Sequence, residues 1–527
     1  MTVHCRMLRR LTIRRLAVAI LLLALSAASL RGAWDPDMWW HLATGRYIVE
    51  RHVIPREDMF SYTAAGQRWF AHEWLTDVLM YLLYRAGGTP ALIVGASLVV
   101  TATFTLVYRS ACSSGARERG APPYVTVFTV LVAAFASAIT WGARPQLLNA
   151  LFLALFHAIL LRSRTPDLQA RICNLQRGIL WPLPVLTALW ANLHSGFYLG
   201  LVVIGVVLVG DTLSYLLTPA DERVQRYPTP AALRNLALTL VLCVLAALAN
   251  PNGYHMLLYP FGTLGSGAMQ SYIQEWASPD FHRREYWLFA LLLLGGSLTL
   301  VLSYRRSAQA SPSLSELLLF FGFGFAGLVS VRHIPLFAVV AAPPISQALE
   351  GLLRPHFRGG GSGLPLLNWV LLLLMIAGVG WRLSDVLEKE QQVERTSYPA
   401  DALEFIREHG LAEKRVYNSY NWGGYLIWHG LRVFIDGRAD VYGDAFIHEY
   451  MLAYWLQGDW RVPLEHYNVD YILIESELPL ARLLEERDEW VRVYQDRLAV
   501  IFVRSALWTE SQSMTPFSGT PGAVWRE

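Results

Sequence analysis

Residues 33–55 read AWDPDMWWHLATGRYIVERHVIP, directly after the apolar run LAVAILLLALSAASL (16–30). Two aspartates, three tryptophans and a histidine fall within the nine residues 33–41. A chain that has just crossed a membrane would place Asp35 and Asp37 at its exit, ringed by aromatic side chains. Local physics accounts for part of this. Asp35 before Pro36 is a helix start, with Asp35 as the cap and Asp37 in the first turn, where its charge complements the positive helix end. The tryptophans suit an interfacial aromatic belt. A cap does not occupy both oxygens of a carboxylate, so the same acids are candidates for metal binding or proton abstraction.

Composition supports the membrane reading. Of 527 residues, 54% are hydrophobic and only 16% charged, where a soluble protein carries about a quarter. The formal net charge is +3, and the basic residues sit in short loops, which leaves no nucleic-acid face. Arg6, Arg9, Arg10, Arg14 and Arg15 precede the first apolar run with no acid among them. A secretory signal looks similar, but the spans that follow favour a retained first helix. Cys5, Cys112, Cys173 and Cys243 form neither a metal nor a disulfide spacing. The topology puts the first three on the cytoplasmic side and Cys243 within a span, so no disulfide is expected on the outer face.

Apolar stretches suited to a bilayer, roughly 17 to 25 residues each, lie near 16–34, 90–108, 122–142, 146–162, 179–193, 198–217, 234–250, 287–303, 314–331, 334–352 and 365–383. About eleven transmembrane helices are predicted. EWLTDVLMYLLYRAGG (73–88) is too short and too polar at its flanks to span, and reads as an interfacial amphipathic helix. Arginine placement sets the orientation. With a cytoplasmic N-terminus, the inner loops contain Arg109, Arg117, Arg119, Arg162, Arg164, Arg171, Arg177, Arg223, Arg226, Arg234, Arg305, Arg306, Arg354 and Arg358, whereas the tight outer turns carry only Arg144 and Arg332. This is the pattern of a multi-pass plasma (inner) membrane protein.

The outer face then receives the long first loop (35–89), the turns WGARPQ, NLHSGF and SVRHIP, the loop 250–287, and everything after residue 385. The spans read as Leu/Val/Ala runs with their polar groups at that one end. Beyond 385 the pattern changes. A linker and an amphipathic helix ending at Gly410 precede short strands predicted at KRVYNSY, LRVFIDGR, VDYILIE and LAVIFVR, with helices near 445–457 and 478–487. The predicted fold class is a multi-pass α-helical membrane protein with a small C-terminal extracytoplasmic α/β domain: a transmembrane bundle over 1–384, which includes the loop 35–89, and the α/β domain over 385–527.

A first outer loop opening on Asp-x-Asp (Asp35-Pro36-Asp37), followed by juxtamembrane helices, many spans and an extracytoplasmic C-terminal domain, resembles the GT-C glycosyltransferase superfamily. YNWGGYLIW (420–428) looks like a loose relative of the Trp-Trp-Asp-Tyr-Gly motif of oligosaccharyltransferase catalytic subunits. It departs from that motif at Asn421, Trp422, Gly423 and Gly424, where the second Trp and the Asp would stand. The resemblance implies transfer of a sugar from a polyprenyl-phosphate-linked donor to a glycan, lipid or protein acceptor at the outer membrane face, among membrane lipids. An acceptor nucleophile would attack the anomeric carbon while the lipid phosphate leaves. The nucleophile's proton and the growing phosphate charge would both need stabilising.

On that reading Asp37 is the base or metal ligand and Asp35 its partner. His41, four residues beyond Asp37, shares its helical face and could orient Asp37 or contact phosphate; a water-facing interfacial histidine is the plain alternative. Glu73, beside His72 in RWFAHEWL, is a second catalytic acid or a helix cap, and Glu275 is a further acid from the loop 250–287. A divalent cation, magnesium or manganese, is expected only where Asp37 and one of these acids converge. Arg332 is the leading phosphate ligand, because an unpaired cation between apolar spans is costly; a salt bridge or snorkelling to headgroups is its alternative. Arg144 poses the same question, with His333 and His194 as helpers. Asp436 and Arg438, in VFIDGRADVYG, bind acceptor, help dock the domain, or form an internal charge pair.

Two other functions fit a chain of this kind. A lipid-linked glycan transporter or flippase would carry polar or broken segments near mid-membrane, against the apolar runs seen. A non-enzymatic scaffold leaves the outward Asp, His and Arg set unexplained. A protease is disfavoured by the absence of H-E-x-x-H and of a nucleophile elbow.

Overall fold

The computed structural model describes residues 13–33, 35–113, 123–164, 178–219, 228–306, 312–353 and 365–508. Cys5, Cys173, Arg6, Arg9, Arg10 and the inner-loop residues Arg117, Arg119, Arg171, Arg177, Arg223, Arg226, Arg354 and Arg358 lie outside the described residues. Two compact units are present: Met1–Arg31 with Leu92–Gly262 and Ile273–Val386, and Gly32–Ala91 with Thr263–Tyr272 and Leu387–Glu527. The first outer loop therefore packs into one body with the C-terminal region.

The first unit is helical. Helices Ile13–Ser29, Pro123–Ser137, Leu147–Ser163, Pro182–Leu193, Tyr198–Leu217, Pro230–Ala246, Leu314–Val329 and Ile334–Leu353 fall on predicted spans. The span near 287–303 contains a π-helical turn at Leu291–Gly295. Five described helices are long and apolar enough to cross a membrane, and others are apolar but shorter. The core gathers around Ile334–Leu353, which is buried without interruption from Ile334 to Ser346. Small residues permit close approach there: a Cβ on Gly296 would lie 2.6 Å from Ile345 Cδ1.

Polar groups are not confined to the outer ends of these helices, contrary to the sequence expectation. Arg164 pairs with Asp211, which also accepts from Ser315 Oγ at 2.9 Å. Thr126 donates to Glu350, and both are buried. These groups stand at helix ends joined by loops read as inner. A charge there is tolerated because a neighbouring helix supplies its partner, and a single span read alone does not reveal that partner.

The helix Trp74–Ser113 is broken at Gly87 and Gly88, where Gly88 adopts φ +64°, so the segment 73–88 and the span after it are separate helices in direction. The linker expected after residue 385 is instead helical: Pro365–Ser397 runs on without interruption. The amphipathic helix Ala400–Glu408 follows, and Gly410 at φ +66° ends it, with Leu411 N donating to Ile406 O at 2.9 Å.

In the second unit a four-stranded sheet has the order β1-β2-β4-β3. Strand β1 (Val416–Asn418) pairs parallel with β2 (Tyr471–Glu475), which pairs antiparallel with β4 (Ala499–Arg504). The edge strand β3 (Trp490–Gln495) was not predicted, because exposed Val491, Arg492 and Gln495 mask its alternation. The strand predicted over LRVFIDGR does not form. Val433 makes one bridge with the first loop, donating to Phe60 O and accepting from Tyr62 N, both at 3.1 Å; beyond it the chain curls into a turn around Asp436. The helix predicted near 445–457 begins earlier, at Ala439, with a break at Gly443.

Candidate active site

The helix Pro36–Arg51 carries the first acids. Asp35 caps it as the sequence requires, its Oδ1 accepting from Asp37 N at 3.0 Å. Asp37 Oδ1 accepts from Trp40 Nε1 at 3.1 Å. One turn on, His41 is fully buried, not water-facing. Its Nδ1 lies 2.7 Å from Asp77 Oδ1 and its Nε2 3.5 Å from Glu73 Oε2. Glu73 Oε1 in turn lies 3.7 Å from His72 Nε2. Burial disfavours a charged imidazole, but the charges of Asp77 and Glu73, the hydrogen bond to Asp77 and the charge of Asp37 outweigh it and raise the pKa of His41 above its ordinary 6.5.

The local fold builds this cluster by close approach of two helices. A Cβ on Gly45 would sit 2.1 Å from Asp77 O, so only glycine lets the helix Pro36–Arg51 touch the segment that starts at Trp74. Glu73 immediately precedes that segment, and its carbonyl accepts from Asp77 N at 2.9 Å. Sequence reasoning missed Asp77. Its signal was present: Glu73 and Asp77 stand four apart and share one helical face.

His41, Glu73 and Asp77 offer ligand atoms within 4.8 Å of one another, which suits a metal ion. Asp37, the acid expected to bind metal, lies outside that group. His41 Nε2 is buried with no hydrogen-bond partner, while Nδ1 is held by Asp77. That is the arrangement in which a carboxylate orients an imidazole towards a cation. The condition set for a cation, Asp37 meeting Glu73 or Glu275, is therefore not the one met here; this different donor set is compatible with a divalent ion, with manganese better matched than magnesium to a nitrogen ligand.

The segment that resembles the oligosaccharyltransferase motif packs against this helix. A Cβ on Gly424 would meet Pro36 O at 2.7 Å and one on Gly423 would meet Ile435 O at 2.2 Å. The two glycines thus serve close backbone approach where the motif would have an acid. Asp436 and Arg438 form the internal pair: Arg438 Nη2 lies 2.7 Å from Asp436 Oδ2, and Nη1 lies 2.7 Å from Asp58 Oδ1. Tyr442 OH donates to Asp436 at 2.6 Å. Burial opposes the guanidinium charge, but Asp436 and then Asp58 hold its pKa well above the ordinary value. Asp436 is 0% and Arg438 2% exposed, so their contacts are to protein groups.

In the first unit, two sequence candidates meet: Arg144 pairs with Glu275. Arg332 stacks over Trp276 at 4.4 Å, and Ser330 Oγ donates to Glu275 O at 2.8 Å. Among the described residues no carboxylate forms an ion pair with Arg332; its stabilising neighbour is the indole. His333 follows it at the head of the helix Ile334–Leu353. His194 Nδ1 accepts from Gly196 N at 2.7 Å, a local cap of the turn Ser195–Phe197.

No protein-family model and no curated protein matches the sequence. Solved structures do. An archaeal oligosaccharyltransferase, AglB from Archaeoglobus fulgidus, in complex with an inhibitory peptide and a dolichol-phosphate, superposes at TM-score 0.53 and 12% identity, covering 87% of this chain and 69% of its own. ArnT from Cupriavidus metallidurans, bound to undecaprenyl phosphate, gives TM-score 0.52 and 14% identity, covering 92% and 96%. The fold is that of the GT-C glycosyltransferases. The same oligosaccharyltransferase tethered to an acceptor peptide with the NVT sequon gives TM-score 0.54 at 13% identity, covering 93% and 74%. At these identities the likeness speaks for the GT-C fold alone, so the chemistry is argued from the side chains.

Proposed function

We propose that the protein is an integral-membrane glycosyltransferase that moves a sugar from a polyprenyl-phosphate-linked donor to an acceptor at the outer face of the membrane. The observation that carries this reading is the buried His41–Glu73–Asp77 cluster directly behind Asp37, on a GT-C fold whose solved representatives include structures holding dolichol-phosphate and undecaprenyl phosphate. Buried acids clustered around a histidine are costly to assemble unless charge or protons are handled there.

In this mechanism Asp37 takes the proton from the acceptor nucleophile as it attacks the anomeric carbon. Asp35 fixes the helix start that presents Asp37. His41 Nε2 and Glu73 would hold a divalent cation, with Asp77 orienting the imidazole from Nδ1; the cation, when bound, would supply Lewis-acid stabilisation of negative charge. Within the first unit, Arg332 over Trp276 and Arg144 beside Glu275 are candidates to bind an anionic phosphate, Arg144 by exchanging Glu275 for the anion. Asp436 and Arg438 brace the turn beside Asp37 and are not assigned to the acceptor.

The reading is tested by deleting the gene, complementing with wild type or Asp37→Asn at matched membrane levels, and profiling cell-surface glycans and glycolipids by mass spectrometry. A sugar lost on deletion and restored by wild type alone supports it. Full restoration by Asp37→Asn would reduce Asp37 to a first-turn helix charge and overturn the mechanism.

A further inference from the structure

We propose that Gly437 and Trp40 are positioning residues that set the Asp37 carboxylate for the transfer step; this rests on the role assigned to Asp37 above. A Cβ on Gly437 would lie 1.8 Å from Asp37 Oδ1, 2.9 Å from Asp37 Cγ and 3.0 Å from Trp40 Nε1. Gly437 is not among the glycines with positive φ, so backbone freedom does not select it. Room for the carboxylate does.

The turn that carries Gly437 is held from several sides. Asp436 accepts from Arg438 N at 2.9 Å, from the Arg438 side chain and from Tyr442 OH. Tyr420 OH donates to Gly437 O at 3.2 Å. Gly423 packs against the backbone of Ile435 and Asp436. A methyl group at 437 would thus find a wall that cannot retreat and a carboxylate that can turn. The carboxylate moves.

Trp40 fixes the same oxygen by donation. Its indole N–H reaches Asp37 Oδ1 at 3.1 Å, its ring centroid lies 3.5 Å from that of His41, and its carbonyl accepts from Thr44 Oγ1 at 2.8 Å. Asp37 Oδ1 therefore sits between a rigid donor and a bare Cα. A displacement of about 1 Å at a reacting group can cost roughly a hundredfold in rate, and a hydrogen bond to a charged group is worth about 1.5–3 kcal/mol, or roughly tenfold and more.

The test compares Gly437→Ala, Trp40→Phe and Asp37→Asn at matched membrane levels, reading the sugar product in cells and the unfolding temperature of purified protein. Gly437→Ala should lower product about a hundredfold and Trp40→Phe about tenfold. Unfolding temperatures should hold, and a lower growth temperature should not restore product. Full product from Gly437→Ala, or recovery on cooling as an unstable fold would give, overturns the proposal. If Gly437→Ala does not accumulate, the double variant with Asp37→Ala should, because the principal collision is gone; failure of both overturns it as well. Asp37→Asn with full product overturns the role of Asp37 and this proposal together. Asp37→Asn inactive beside an active Gly437→Ala overturns the positioning alone.

Discussion

His41 Nδ1 lies 2.7 Å from Asp77 Oδ1, with both side chains 1% exposed. An imidazole whose folded pKa is raised above 6.5 binds its proton more tightly folded than unfolded. Its stabilisation is complete below about pH 6.5 and is lost as pH rises through the folded value. Chelator-treated protein should therefore unfold at progressively lower temperature as pH rises from about 6.5, and His41→Gln should flatten that slope. An unchanged slope in His41→Gln would show that His41 is not the titrating group.

Cation binding should run against the same proton. Because metal and proton compete for His41, manganese affinity should rise with pH in the wild type. Glu73→Gln should weaken it at least ~10-fold, as loss of a ligand or its support does. Electron paramagnetic resonance of free manganese in titrations of detergent-purified protein measures both. Equal binding by Glu73→Gln would remove this residue from the site.

Arg438 neutralises two buried acids, Asp58 and Asp436. Replacing it with methionine leaves both without their cation, and breaking a buried pair costs about 3–5 kcal/mol. Lysine should rescue only in part, since it lacks the planar fork that reaches both carboxylates. Chemical denaturation of the purified variants would show the ranking wild type above Lys above Met.

Gly424→Ala should destabilise by about 1–3 kcal/mol, the usual cost of overpacking. The atom its Cβ would meet first is backbone, Pro36 O at 2.7 Å, which cannot turn aside as a side chain can. Thermal unfolding should place it well below Gly205→Ala, whose site is open and whose backbone is helical.

Arg144 and Glu275 are partly exposed, 20% and 33% by side chain, so their pairing should contribute no more than about 1 kcal/mol to stability. Glu275→Gln should leave the unfolding temperature nearly unchanged. Arg144→Gln should lower glycan product while stability holds, and a variant with full product would take Arg144 out of phosphate binding.

Much of the fold was legible because bilayer chemistry is written in runs. Leu, Val and Ala stretches of the required length mark helices wherever they occur, and Asp35-Pro36 marks a helix start by local capping alone. Local signals failed where partners decide. LRVFIDGR has the composition of a strand, yet the first loop takes Val433 and the Asp436–Arg438 pair curls the rest. Residues 385–397 look like a linker by polarity, but they continue a helix already nucleated in an apolar span, where each added residue gains a hydrogen bond without a new nucleation cost.

Local pattern alone settles that the chain is built of apolar helices followed by a small α/β region, and that Asp35, Asp37, His41 and Glu73 all belong to the one long first loop. Periodicity, capping and hydropathy act over a few residues and need no knowledge of the rest. Tertiary structure alone decided that Asp77 completes the cluster, that Arg144 meets Glu275, and that Gly437 yields its space to the carboxylate of Asp37. Those relations join residues up to hundreds of positions apart, and Coulomb and steric terms between them depend on distance in space, not on separation along the chain.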